Sequence, residues 1–375
     1  MKKKFFFKGT LPASKSILNR LLVIQSYCGP EDSFIIQGDS DCDDVVAMKN
    51  GIAALMAGKD VDCGAAGTVI RFLTLRAARL SGEFHFTGTK RLLERPMESL
   101  QDLSRQLKSG SHEIRIDCSK SSQFASAVLL NAWDLPFELR LKLEHLSLSE
   151  GYFEMTKAMV RMCGMELLEE GNGVVIPSHQ SVRAGEYRAE PDMSSAFAIA
   201  ALAAVAGAAE INAFPMQSLQ PDSVFPEFLR LLGVSADLHN ATLMVEGREK
   251  LHAVERDFSR CPDMFPVAAV LCALAQGTSK LYGAPHLAHK ESNRIQKTAE
   301  LIHKMGAHVH TLSDGLEIKG CGMKPSVDAC VFNPDEDHRL VMAAAVVNAA
   351  GCNLEILHPE VVNKSFPEFL EIASH

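Results

Sequence analysis

The chain has 375 residues, more than a single hydrophobic core usually supports, so two domains are the default expectation. Its composition, 47% hydrophobic and 22% charged, is that of an ordinary globular protein. A net charge of -8 argues against a general binder of nucleic acid or of anionic membrane, because those work through basic surfaces, so any anion site must be a local concentration of Lys and Arg.

In chain order, residues 1–8 are basic, hold too few apolar residues for a signal-peptide core, and read as an opening strand. A pattern then repeats: a polar cluster runs into a small-residue-rich helix that reads as buried, a glycine or turn ends it, and a strand-like run follows. Its six openings are Ser14-Lys15-Ser16, Ala66-Gly67-Thr68, Ser121-Ser122-Gln123, Asp192-Met193-Ser194-Ser195, Asp263-Met264-Phe265 and Asp337-His338-Arg339. Amphipathic, charged helices are expected between them at 44–56, 97–107, 155–165, 226–232, 291–305 and 366–373. In 291–305 the apolar Ile295, Ala299, Ile302 and Met305 fall on one stripe. Strands are expected at 83–86, 139–143, 173–176 and 316–318, and the tail from Leu357 is expected to pack back onto the first strand. The longest apolar stretch, 196–206, is too short to span a bilayer. Ten cysteines without a Cys-x-x-Cys pair read as the reduced thiols of a cytoplasmic protein. The sum is three strand-and-helix units in each half, with helices inside and strands outside.

Ser and Asp at a helix start accept from open backbone N–H groups, which together with the helix dipole attract anions. One such start is ordinary capping. Six, several with Lys or Arg within a turn, predict a surface for phosphates and carboxylates. Pro12-Ala13-Ser14-Lys15-Ser16-Ile17-Leu18-Asn19-Arg20 closely resembles the Pro-Gly-Ser-Lys-Ser-x-x-Asn-Arg signature of 5-enolpyruvylshikimate-3-phosphate synthases. The resemblance continues, in the family's order, through Gly64-Ala65-Ala66-Gly67-Thr68-Val69-Ile70-Arg71, Leu93-Glu94-Arg95-Pro96-Met97, Ser121-Ser122-Gln123-Phe124, Lys290-Glu291-Ser292-Asn293-Arg294, Asp337-His338-Arg339 and Lys364-Ser365-Phe366-Pro367.

That resemblance implies transfer of the enolpyruvyl group of phosphoenolpyruvate to the 5-hydroxyl of shikimate 3-phosphate, with release of phosphate and with no metal or organic cofactor. It implies an α/β fold of two inside-out domains, each of three repeated strand-helix units around buried parallel helices, joined by a two-strand hinge that closes over substrates in the cleft. The domains are expected at 14–190 and at 1–13 plus 191–375, in a cytoplasmic monomer with no nucleic-acid or membrane partner. By resemblance, shikimate 3-phosphate meets Lys15, Ser16, Arg20, Ser121, Ser122, Gln123, Ser149, Tyr152, Asp263, His286 and Lys290. Phosphoenolpyruvate lies among Lys15, Gly67, Arg95, Gln123, Arg294, Arg339 and Lys364, a pocket for which glyphosate competes in this family. Two polyanions held face to face need permanent cations and hydroxyl or amide donors, which these residue types supply. The catalytic set is Lys15, Asp263 as base toward the 5-hydroxyl, and Glu291 as acid and base at the methylene carbon.

Each piece alone also has a bland reading. Asp263 ahead of Pro266 suits a helix cap, Lys15 and Arg20 a solvated helix face, and Glu291 with Arg294 a surface pair. His286 and His289 lack a third metal ligand at a recognisable spacing. Three places depart from the family: Ala65 or Ala66 replaces an Asn, His286 stands where an Asn usually does, and a strand-rich stretch is missing between Leu107 and Ile114. Phe72 also stands where many relatives have Pro. The rivals are UDP-N-acetylglucosamine enolpyruvyl transferase, whose Lys-Asn opening and loop cysteine are not apparent, and a non-catalytic anion-binding derivative of the fold.

Overall fold

The computed structural model describes residues 4–29, 33–95, 97–119, 121–146, 150–323, 325–326 and 328–374. Its backbone divides into two compact units, one of residues 13–190 and one of residues 1–12 with 191–375. Each unit holds its own apolar core.

The chain opens on β1 (Phe5–Gly9), a strand of the second unit. Residues 13–190 then run through α1 (Lys15–Gln25), β2 (Phe34–Gln37), α2 (Asp43–Met56), β3 (Val61–Asp62), α3 (Gly67–Ala77), β4 (Phe86–Thr87), α4 (Lys90–Leu93), α5 (Glu98–Ser109), β5 (Glu113–Asp117), α6 (Gln123–Leu130), β6 (Leu139–Glu144), α7 (Glu150–Met162), β7 (Leu168–Glu170), β8 (Gly173–Ile176) and β9 (Gly185–Arg188). The centre is α1, α3 and α6. On α6 every residue from Phe124 to Leu130 is buried, as a helix apolar on all sides must be. The strands lie outside: β6 alternates buried Leu139, Leu141 and Leu143 with exposed Arg140, Lys142 and Glu144, the pattern of a sheet with one wet face. Phe72, Trp133 and Phe153 are fully buried, and each apolar side chain of that kind contributes about 1.5–3 kcal/mol by leaving water.

The second unit continues with α8 (Met193–Ala206), β10 (Gly207–Ile211), α9 (Phe225–Leu231), β11 (Ser235–His239), β12 (Thr242–Glu246), β13 (Leu251–His252), β14 (Glu255–Asp257), α10 (Phe265–Ala273), β15 (Ala275–Gln276), β16 (Thr278–Tyr282), α11 (Arg294–Lys304), β17 (His308–Thr311), β18 (Leu316–Lys319), β19 (Cys330–Phe332), α12 (His338–Ala349), β20 (Leu354–Ile356) and α13 (Phe369–Ala373). Here α8, α10 and α12 are the buried helices. Gly207 ends α8 and starts β10, where the backbones run so close that a Cβ would stand 1.8 Å from the Phe5 carbonyl oxygen.

One sheet plan recurs. In β5-β6-β8-β7, β1-β10-β12-β11 and β14-β16-β18-β17, a parallel pair is extended by an antiparallel hairpin. The hairpin follows α7, α9 and α11 in turn. After α5 the chain enters β5 through residues 110–112, and after α2 it enters β3 through residues 57–60, with no hairpin among the described residues. The second of these short connections has no counterpart in the sequence reading. The parallel pairs β2–β9 and β3–β4 therefore stand without a hairpin, and a cavity of about 430 Å³ opens beside Phe84, Phe86, Leu93 and α5.

Several boundaries differ from expectation. The strand expected at 83–86 is reduced to Phe86–Thr87, because its partner β3 is only two residues long. The helix expected from Glu291 starts at Arg294, since the Asn293 side chain accepts from the Gln296 N–H, 3.2 Å, and caps it there. The tail packs on α12 through a 3₁₀ turn, Pro359–Lys364, and α13, while the first strand pairs with β10. At α8 and α12 the N-cap side chain itself accepts from the first turn, Asp192 from the Ser195 N–H and Asp337 from the Arg339 N–H.

Candidate active site

In residues 13–190 the first turns of α1, α3 and α6 are tied together. The Asn19 amide donates to the Thr68 hydroxyl, 3.1 Å, and Arg71 Nη1 donates to Gln123 Oε1, 2.6 Å. Lys15 is buried and paired with Asp44 of α2 at 3.0 Å. Arg20, 2% exposed, donates from Nε to the Thr156 hydroxyl, 2.8 Å, from Nη1 to the Ser16 carbonyl, 2.8 Å, and from Nη2 to the Tyr152 carbonyl, 3.3 Å. Burial lowers its pKa to about 10, so it stays cationic at neutral pH. Neither Lys15 nor Arg20 lies on a solvated helix face. Ser14 Oγ, at the start of α1, is buried with no hydrogen-bond partner in the protein.

Gly67 opens α3 under two guanidinium groups. A Cβ on it would lie 2.6 Å from Arg95 Nη1 and 2.7 Å from Arg71 Nη1. The missing side chain therefore leaves room for Arg95 to approach the helix N-terminus, whose N–H groups and dipole already favour an anion. Ser121 and Ser122 are buried, with the Gln123 N–H donating to Ser121 Oγ at 3.2 Å. Tyr152 is half-buried on α7; Ser149 lies outside the described residues.

In residues 191–375 the charges cluster differently. Asp263 sits in a 3₁₀ turn, Pro262–Met264, just before α10, whose N-cap residue is Met264. Its Oδ1 accepts from Arg294 Nη1 at 2.7 Å and its Oδ2 lies 3.4 Å from Arg339 Nη2. Burial would raise its pKa, but Arg294, Arg339 and Lys290 outweigh that and hold it well below the usual carboxylate range. Glu291 Oε2 accepts from Arg294 Nη2, 3.1 Å, with only 17% of its side chain exposed, so this is no surface pair. Arg294 is itself buried, and Asp337, wholly buried, accepts from its Nε at 2.7 Å and its Nη2 at 3.2 Å. Arg339 follows at the start of α12, and Lys364 is buried at the end of a 3₁₀ turn, Pro359–Lys364.

His286 is 2% exposed, and its pKa is lowered to about 3 by burial and then by the charge of Lys290. Whatever replacing Asn by His changes here, it adds no titration near neutral pH. Three carboxylates have no place among the site residues expected from the sequence. Asp44 holds Lys15. Asp337 holds Arg294. Asp222, 2% exposed, accepts from the Ser194 hydroxyl, and its pKa is pushed up to about 7 by burial and then by the charge of Asp263, against Arg339. Asp44 had a signal: it shares the apolar stripe Met48, Gly51, Leu55 at helical spacing, where a charge implies a buried partner.

A family model of EPSP synthase (3-phosphoshikimate 1-carboxyvinyltransferase) matches residues 34–372. The chain belongs to the EPSP synthase family. A 3-phosphoshikimate 1-carboxyvinyltransferase of Syntrophobacter fumaroxidans is 30% identical over 405 residues, covering 96% of this chain and 95% of the relative. One from Thermococcus kodakarensis is 32% identical over 393 residues, covering 96% and 94%. Among solved structures, EPSP synthase from Acinetobacter baumannii has a TM-score of 0.78 at 22% identity, covering 100% of this chain and 96% of that one. The enolpyruvyl transferase NikO from Streptomyces tendae has a TM-score of 0.70 at 14% identity, covering 100% and 95%. Likeness at such identity establishes the fold, the two-domain α/β fold of EPSP synthases. The UDP-N-acetylglucosamine rival is not favoured. Among the described residues no helix is long and apolar enough to cross a membrane.

Proposed function

We propose that the chain transfers the enolpyruvyl group of phosphoenolpyruvate to the 5-hydroxyl of shikimate 3-phosphate, in the biosynthesis of aromatic amino acids. The observation that carries the reading is Arg294, one guanidinium that holds Asp263 at 2.7 Å and Glu291 at 3.1 Å. The chemistry needs two proton-transfer groups. In the addition step Glu291 gives a proton to the methylene carbon, the 5-oxygen bonds to the adjacent carbon, and the 5-hydroxyl proton passes to Asp263. In the elimination step the methyl carbon returns a proton to Glu291 as the carbon–oxygen bond to phosphate breaks, and the leaving phosphate takes up the proton held by Asp263, which restores both groups. Asp263, kept ionised by its cations, is in the proton-accepting form across the physiological range.

The binding groups follow from their chemistry. Arg95, Lys15 and the α3 N-terminus at Gly67 suit the phosphoenolpyruvate anion, with Arg294, Arg339 and Lys364 contributed by residues 191–375. Ser16, Arg20, Ser121, Ser122, Ser149, Tyr152, His286 and Lys290 serve shikimate 3-phosphate, and Gln123, its carbonyl taken by Arg71, keeps its N–H donors for both substrates. We place the enzyme in the cytoplasm as a monomer; free thiols and a net charge of -8 are in keeping with that.

The test is phosphate release from phosphoenolpyruvate by the purified chain. Release that depends on shikimate 3-phosphate is expected. Release with UDP-N-acetylglucosamine and none with shikimate 3-phosphate would overturn the assignment.

A further inference from the structure

We propose that Asp337 is a positioning residue for the transfer chemistry: by clamping the guanidinium of Arg294 it sets where Asp263 and Glu291 stand. The proposal rests on the reading of those two carboxylates as the proton-transfer groups. Asp337 is wholly buried and each of its oxygens accepts two hydrogen bonds. Oδ2 accepts from Arg294 Nε, 2.7 Å, and from the Ser292 hydroxyl, 3.0 Å; Oδ1 accepts from Arg294 Nη2, 3.2 Å, and from the Arg339 N–H, 3.0 Å.

The geometry makes Asp337 the common anchor of the cluster. A planar guanidinium held along its Nε–Nη2 edge by two parallel bonds cannot rotate, so its remaining donors point in fixed directions. Nη1 then meets Asp263 and the outer side of Nη2 meets Glu291, which places the two carboxylates on separate terminal nitrogens of one rigid plane. The Ser292 bond fixes the backbone next to Glu291. The bond to the Arg339 N–H orients the first turn of α12, from which Arg339 reaches Asp263 at 3.4 Å. A single carboxylate thus steadies Asp263 from two sides and Glu291 from two.

The alternative is that Asp337 only caps α12, and Asp337→Asn separates the two. Asn caps helices as well as Asp and keeps the oxygen that serves the Arg339 N–H, but its NH₂ group faces Arg294 Nε and opens the clamp. Asp337→Asn is expected to melt near the wild-type temperature, to lose roughly tenfold to a hundredfold in kcat, and to keep the KM for shikimate 3-phosphate, because misplacing reacting groups by an ångström costs on that scale. Introduced into Glu291→Gln, the same change should cost less than in the wild type, since part of its effect runs through that residue.

Wild-type kcat in Asp337→Asn, a loss confined to the KM for phosphoenolpyruvate, or an undiminished loss in the double variant would each overturn the proposal. If Asp337→Asn does not fold, Arg294→Lys decides: it keeps Asp337 and the cap but replaces the fork by a point charge. The same kcat loss is then expected, and a wild-type kcat overturns the proposal. The single variants Asp263→Ala and Glu291→Gln report on the underlying reading. If both turn over normally that reading fails and the positioning role with it; if both are crippled while Asp337→Asn is normal, only the positioning role fails.

Discussion

The two sets of site residues use arginine in opposite ways. In residues 13–190, Arg20 donates to a hydroxyl and two carbonyls, and Arg71 to an amide oxygen and a carbonyl. Neutral acceptors fix a guanidinium in place without cancelling its charge. In residues 191–375, Arg294 and Arg339 meet Asp263, Glu291 and Asp337, all at 3.4 Å or less where they touch. Here the cations are matched by acids, and the acids are the groups held in place. The first arrangement suits holding an anion; the second suits moving a proton. Lys15 with Asp44 is an exception in the first set, a cation aimed by a carboxylate.

The largest effect is expected at Asp263. Asp263→Ala should cut kcat by about 100- to 10,000-fold, the range of a general base, while the KM for phosphoenolpyruvate changes little. A loss below roughly tenfold would reduce Asp263 to a structural partner of Arg294.

Gly67→Ala should act on the binding side. Its Cβ would meet Arg95 and Arg71 at 2.6 and 2.7 Å, and since both contacts are ends of flexible side chains, the chain should fold and the cradle should shift. The KM for phosphoenolpyruvate is expected to rise roughly tenfold, equivalent to about 1.4 kcal/mol of lost binding, with a smaller change in kcat. A lower kcat at unchanged KM would show that the Gly67 cradle serves the transition state rather than substrate binding, and would break the comparison.

The smallest effect concerns stability. The Asp222 pKa, raised from 3.8 to about 7 in the folded chain, means the folded state binds that proton more tightly than the unfolded state does. Its contribution to stability is therefore present at low pH and is lost as pH rises through about 7. Asp222→Asn keeps an acceptor for Ser194 and cannot ionise, so its melting temperature should gain on that of the wild type between pH 4 and 8. A difference independent of pH would show that Asp222 is ionised throughout.

Much of this was legible in the sequence, for identifiable reasons. The buried helices α6, α8 and α10 announce themselves because a helix apolar all round has no wet face, and β6 because strict alternation has only one reading. What stayed hidden depends on contacts between elements distant in sequence. Asp263 before Pro266 looks like a cap until Arg294 and Arg339 come beside it. Asp337 does cap its helix, and the local signal conceals its longer-range bond to Arg294, 43 residues away. Asp222 stands in a 3₁₀ turn behind a proline, with nothing local to mark it as buried beside an acid. Helix boundaries slipped where a single side chain decides them, as Asn293 does for α11.

The most direct measurement is the incorporation of solvent deuterium into the methylene group of phosphoenolpyruvate recovered from partial turnover with shikimate 3-phosphate. Reversible addition must protonate that carbon, so the wild type should label it. Glu291→Gln should lose labelling in step with turnover, because both need the same proton donor at the end of the Arg294 plane. Glu291→Gln that labels at the wild-type rate while failing to turn over would contradict the account, and would move the donor to another group, Lys15 or Lys364.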